Sequence, residues 1–210
     1  MLEHVPRWLG ALLSNVRAGH AGLAIVQKAL AVGDTVIDLS SPAFADGARL
    51  PKRFTADAEG MSPPLLWGAV PAGTASIALL VEDPDAPAPN PLVHALVWNL
   101  PPDARHLAEG AIRRDGSSGE IGRNSYFAQG WLPPDPPTGH GSHDYVFQLF
   151  ALSGTPDIGH SPGRSDLLEA LGGRVLAAGI LIGTYSRDEP AGIGDAAPAV
   201  RPAGSLSGPH

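Results

Sequence analysis

Apolar residues follow two rhythms along this chain. Val5, Trp8, Leu9, Leu12, Leu13 and Val16 recur every three or four positions, which puts them on one face of a helix over residues 4–18. Pro6 suits the first turn of that helix, where a missing amide donor costs nothing. Leu23, Ile25, Val26 and Leu30 extend the helical reading past Gly22. From Thr35 the rhythm shortens. Residues 35–39 (TVIDL), 76–82 (SIALLVE) and 93–100 read as strands, 144–152 (DYVFQLFAL) as the strongest strand, and 179–186 as a closing one. Residues 44–54, broken by Gly47 and Pro51, look like a hairpin, and 125–131 like a further short strand. One interior helix is predicted, capped by Ser165 and carrying Leu167, Leu168, Leu171, Val175 and Leu176. Gly172 and Gly173 within it should cost about 2 kcal/mol against alanines, so its stability must come from packing.

Strands do not alternate with helices, so a doubly wound parallel sheet is excluded and a mainly β fold with few helices is expected. Three regions follow: a helical extension over 1–34, a domain over 35–187, and a Pro/Gly/Ala-rich tail over 188–210 with no apolar period, expected to be disordered. The N-terminal helix either packs on its own domain or serves as the arm of a homodimer. Both readings stand at this level.

Composition narrows the function. A net charge of −7 and the lack of any basic run argue against nucleic acid. With no cysteine there is neither disulfide, thiolate-bound metal nor cysteine nucleophile. No apolar run approaches the ~18 residues that span a bilayer, and no leader pattern opens the chain, so the cytoplasm is the expected compartment. The pattern calls for no cofactor and no metal.

Candidate chemistry gathers around two stiff loops. Pro84, Pro87, Pro89 and Pro91 brace the turn between the strands at 76–82 and 93–100, and Pro133, Pro134, Pro136 and Pro137 brace the approach to 144–152. Asp83, Asp85, His94 and His143 sit beside these loops, and Tyr145 shares a strand face with His143. One acid and two imidazoles could therefore line a small cup suited to an anion. Protonation of either histidine below about pH 6.5 should then tighten binding. Each feature also has an ordinary reading. A strand histidine is commonly structural, and Asp-Pro-Asp is commonly just a turn. His140 and His143 resemble half a zinc site that Asp83 or His94 could complete, but their spacing lies in a Gly-rich loop. No G-x-S-x-G, G-x-G-x-x-G or P-loop occurs.

In order along the chain stand Ser62-Pro63-Pro64-Leu65 with Trp67, Val70-Pro71-Ala72-Gly73-Thr74, Asp83-Pro84-Asp85-Ala86-Pro87, and His94 with Asn99-Leu100-Pro101. Gly122-Arg123-Asn124 and Pro136-Pro137-Thr138-Gly139 leading to His143-Asp144-Tyr145 complete the set. This set resembles the phosphatidylethanolamine-binding protein family, and more closely its bacterial Raf-kinase-inhibitor-like branch. The resemblance implies antiparallel β-sheets packed as a sandwich with few peripheral helices. It also implies an anion pocket made by Asp83, Asp85, Pro87, His94, Pro136, Pro137, His143 and Tyr145, holding phosphate, acetate or a phospholipid headgroup. Members act mostly by binding, some by modulating kinases or proteases, which makes an enzyme the less favoured reading. The alternative is a small hydrolase or isomerase using Asp83 with His94 or His143 as acid and base. Leu92 stands where the family usually has an aromatic, and Asp144 where it prefers arginine.

Overall fold

The computed structural model describes residues 18–32, 34–115 and 119–187. The helix expected over 4–18 and the tail 188–210 fall outside these residues, Ala18 apart. Among the described residues nine strands and helices are formed: β1 (Leu39–Ser40), β2 (Leu65–Trp67), β3 (Ser76–Asp83), β4 (Leu92–Leu100), β5 (His106–Leu107), β6 (Glu120–Ile121), β7 (His143–Leu152), α1 (Arg164–Leu171) and β8 (Val175–Tyr185). Four 3-10 turns are described as well, three of them before β1. No described helix is long and apolar enough to cross a membrane.

The long strands build an antiparallel sheet ordered β6-β4-β3-β7-β8. β3 is central, and all eight of its residues are buried. A strand covered on both faces reads as a continuous apolar run, which is why SIALLVE was legible. One face packs Ile77, Leu79, Val81, Phe147 and Leu149 against Leu39, Leu65 and Trp67 of the smaller sheet β1-β2-β5. The other packs Ala78, Leu80 and Phe150 against Leu167 and Leu171 of α1 and against Ala24 and Leu30. The expected mainly β sandwich is what forms.

Several local expectations are corrected. Residues 44–54 make no hairpin, and the strand read over 35–39 narrows to a bridge at Val36 and the start of β1 at Leu39; Val36 and Arg49 bridge to Ala178 and Thr184 on the open edge of β8, satisfying backbone groups that an edge strand would leave bare. Gly183 makes that crossing close, since a Cβ there would lie 2.4 Å from Leu50 Cδ2. The N-cap of α1 is Gly163 rather than Ser165, with the Gly163 N–H donating to Asp166 Oδ2 at 2.8 Å. The helix ends before Gly172 and Gly173, the latter at φ 70°, so Val175 and Leu176 belong to β8. Residues 125–131 are not a strand; Asn124 Oδ1 accepts from the amides of Tyr126 and Ala128 and curls the chain into a loop.

The helical reading of residues 20–30 is also wrong in kind. Three short 3-10 turns, His20–Gly22, Ala24–Val26 and Lys28–Leu30, replace it. Ala24 N–H donates to Glu82 Oε2 and Ile25 N–H to Gln148 Oε1, each at 2.8 Å, so side chains of the sheet take the amides a helix would use. Glu82 is 0 % exposed. Its carboxylate also accepts from Gln148 Nε2 at 2.8 Å and pairs with Arg164 Nε at 2.5 Å, while Arg164 reaches Gly22 O. This described part of the extension is thus strapped to its own sheet.

Removing one partner of a buried pair leaves the other uncompensated, at a cost of about 3–5 kcal/mol. Glu82→Ala is expected to lose stability on that scale in urea denaturation and to expose the 20–30 segment to protease. A loss under about 1 kcal/mol, in the range of a surface pair, would show that the strap is not held by this carboxylate.

Candidate functional site

At one end of the central sheet the two proline-braced loops converge. They enclose a cavity of about 320 Å³ whose walls include Asp83, Ala86, Pro87, Leu92, His94, Tyr126, Leu132, Pro133, Pro136, Pro137, His143 and Tyr145. Of the eight residues expected to make the anion pocket, all but Asp85 line this cup. Asp85 is buried beside it, its Oδ2 accepting the Asp144 N–H at 2.8 Å. Asp144 is not among the cup's walls and pairs instead with His20 Nε2 at 3.0 Å.

The strands dictate who faces the cup. Asp83 ends β3 on the face of Val81 and Leu79, and alternation along β7 puts His143 and Tyr145 on the face of Phe147. β4 needs a further device. Ala95 and Val97 pack on this face while Val93, Leu96 and Trp98 pack on the other, so simple alternation would turn His94 away. The register shifts at this point, Val81 pairing Ala95 but Glu82 pairing Val93. This bulge sets His94 and Ala95 on one side and aims the imidazole into the cup.

Each polar group is then held. Asp83 Oδ1 accepts the Asp85 N–H at 2.8 Å, closing the Asp-Pro-Asp turn, and Asp83 Oδ2 accepts from His143 Nδ1 at 2.7 Å. His143 Nε2 lies 2.6 Å from His140 Nδ1, so a single proton sits between the two rings. Both nitrogens of His143 are engaged. The donor expected from it is used inside the protein, and the half-zinc reading of His140 and His143 loses its ligand atom. His140, 1 % exposed, was noticed in sequence only as a metal candidate; its place behind His143 depends on the loop geometry. Among the described residues the side chains that gather three potential metal ligands are His20, Asp85 and Asp144, a different set outside the cup.

His94 is arranged differently. Its Nδ1 donates to Leu132 O at 2.7 Å, and Leu132 N–H returns a 2.7 Å bond to His94 O, locking ring and loop together. The ring meets Tyr145 edge-on, with centroids 5.0 Å apart. His94 Nε2 and the Tyr145 hydroxyl are both buried, and neither has a hydrogen-bond partner. Burial is the main influence holding His94 below the usual imidazole range; His143 adds to it, while Asp83 and the Leu132 bond oppose it. Burial first, and then the charges of Asp83 and Asp135, push the Tyr145 phenol well above its ordinary value, so it remains a donor. At the rim, Arg187 is paired with Asp57 at 2.8 Å and with Asp135. Tyr126, Leu132 and Pro133 went unnoticed as walls in sequence. Tyr126 reaches the cup only because Asn124 curls its loop.

Comparison with known proteins places this arrangement in context. The family model described as "PBP: Phosphatidylethanolamine-binding protein" matches residues 40–186. A "UPF0098 protein" of Aquifex aeolicus is 37 % identical over 77 % of this chain and 95 % of its own length. The crystal structure of a phosphatidylethanolamine-binding protein homolog, CT736 of Chlamydia trachomatis, is 34 % identical, with a TM-score of 0.67 over 74 % of this chain and 100 % of that one. Escherichia coli YbcL, described as a member of the mammalian family, is 27 % identical with a TM-score of 0.68, covering 71 % and 98 % of the two chains.

The state of His94 is open to direct measurement. Because the folded protein resists a proton that the unfolded chain takes up below about pH 6.5, this residue costs stability progressively as pH falls through that value. In a nitrogen-15 NMR titration the His94 ring is expected to titrate below that ordinary value, with Nδ1 protonated and Nε2 bare above it. A midpoint at or above about 6.5 would contradict this geometry.

Proposed function

The chain belongs to the phosphatidylethanolamine-binding protein family, and from that premise we propose that its cup binds a small oxyanionic ligand, either phosphate or a phosphorylated headgroup. The observation that carries this reading is that two residues lining one mostly apolar cavity, His94 and Tyr145, each bury a polar atom, Nε2 and the hydroxyl, without a hydrogen-bond partner. A buried polar group without a partner costs roughly 1–3 kcal/mol, a cost that a ligand bonding to both atoms relieves. The proline walls are formed in advance, so little ordering is paid on binding. We read the protein as cytoplasmic, acting by binding, with modulation of a kinase or protease as the form that binding takes in the cell. The described part of the extension packs on its own sheet, which favours a domain-bound segment over a dimer arm.

The hydrolase or isomerase reading gains less support. Asp83 and His143 have the 2.7 Å contact of an orienting acid and a base. The far nitrogen of that base, however, meets His140 rather than the cup. Catalysis through this pair would require His140 to withdraw first.

Inorganic phosphate is expected to bind the purified chain in isothermal titration calorimetry. Loss of one hydrogen bond to a charged ligand in Tyr145→Phe should weaken binding roughly tenfold to a hundredfold. Unchanged affinity in that variant would remove the cup from the reading. Turnover of a small ester that vanishes in both Asp83→Asn and His143→Ala would replace binding with catalysis.

A further inference from the structure

The cup presents the ligand with an unusual demand. Leu132 O can only accept, so the 2.7 Å contact from His94 fixes the ring proton on Nδ1. In the neutral ring Nε2 is then a bare acceptor, buried and without a partner. The groups packed around it do not fill that role. Asp83, from β3, faces the same cavity with both oxygens already bonded, by Asp85 N–H and by His143. From β7 come His143, whose two nitrogens are engaged, and Tyr145, whose hydroxyl is open. From the second proline loop come Trp131, whose Nε1 donates to Phe54 O, and Asp135, paired with Arg187. The two buried atoms left open are therefore one acceptor and one donor.

We propose that the cup, if it binds an oxyanion as set out above, selects the form that still carries a proton: hydrogen phosphate or a phosphomonoester, with P–OH donating to His94 Nε2 and P–O⁻ accepting from Tyr145. A phosphodiester or a sulfate ester has oxygens that only accept. Against His94 Nε2 it would set acceptor against acceptor in a buried place, an arrangement that a site built for a hydroxyl rejects strongly. The same argument disfavours the phosphate of a phosphatidylethanolamine headgroup, because that phosphate is a diester. The acid in the wall works in the same direction, since Asp83 repels added negative charge. Burial disfavours the charged His94 ring and so favours the form in which Nε2 is an acceptor.

The test uses the full chain in calorimetry at about pH 5.5, below the phosphomonoester's second pKa of about 6, where methyl phosphate, dimethyl phosphate and methyl sulfate are all mainly monoanions. Net charge is then matched, and the ligands differ in whether they bring a proton. Methyl phosphate is expected to bind at least about tenfold more tightly than the other two, the scale of one buried acceptor left facing another. Inorganic phosphate forms a further arm: affinity equal to methyl phosphate points to an esterified ligand, and affinity well above it to the free ion, both within the proposal. His94→Gln, whose amide can turn an N–H into the cup, should erase the discrimination, whereas Tyr145→Phe should weaken all ligands alike. Equal affinities for the three esters in the unaltered protein, or preference for the diester, overturn the selectivity and leave anion binding standing. Failure of every oxyanion to bind overturns both. Should His94→Gln not fold by circular dichroism, the ester series on the unaltered chain still decides.

Discussion

Two consecutive carboxylates at the end of the central strand, Glu82 and Asp83, are buried on opposite faces of one sheet, and the rest of the structure is arranged to make that tolerable. An unpaired buried charge is far too costly to keep, so each has recruited partners from distant parts of the chain. Glu82 holds Arg164 at the head of α1, Gln148 on β7 and the amide of Ala24. Asp83 holds His143 on β7 and the amide that closes its own turn. One acid thus organises the covered back of the sheet, and its neighbour organises the cup. Strand alternation does the sorting: a slip of one residue would exchange the two roles and undo both.

How much of this was legible follows from which forces act locally. The strands β3, β4 and β7 announce themselves because they are buried nearly throughout. Loop stiffness was legible for the same kind of reason, since proline acts through its own covalent ring. The failures share a cause, for they occur wherever a distant side chain or strand edge takes over the backbone. Residues 20–30 have helical spacing, but Glu82 and Gln148 bind their amides. Residues 44–54 have a hairpin's punctuation, but Arg49 pairs with Thr184 on the open edge of β8 instead. Residues 125–131 look like a strand until Asn124 curls them. The bulge in β4 is the most consequential omission, because apolar alternation cannot show which side His94 takes.

The cup's chemistry also turns on a distinction that residue types conceal. His94 and His143 look equivalent in sequence, two imidazoles near a carboxylate. In the structure one is saturated and the other is not. His143 is bonded at both nitrogens, between an acid and a second histidine, so it acts as structural bracing for Asp83. His94 is bonded at one nitrogen and open at the other. An inventory of cup residues would credit both with binding, whereas a count of free lone pairs and protons credits His94 and Tyr145.

Family membership fixes the fold, yet it leaves the ligand open, since one fold hosts many functions. A net-negative chain with a carboxylate in the cup wall is poorly suited to hold a multiply charged anion by charge alone. What the walls supply is directional: a donor on Tyr145 and an acceptor on His94, carried by rings that meet edge-on with centroids 5.0 Å apart. Direction discriminates between ligands of equal charge, which a diffuse positive field cannot do. The backbone carbonyl of Leu132, by deciding which nitrogen of His94 bears the proton, therefore has more influence on what may enter than the formal charges around it.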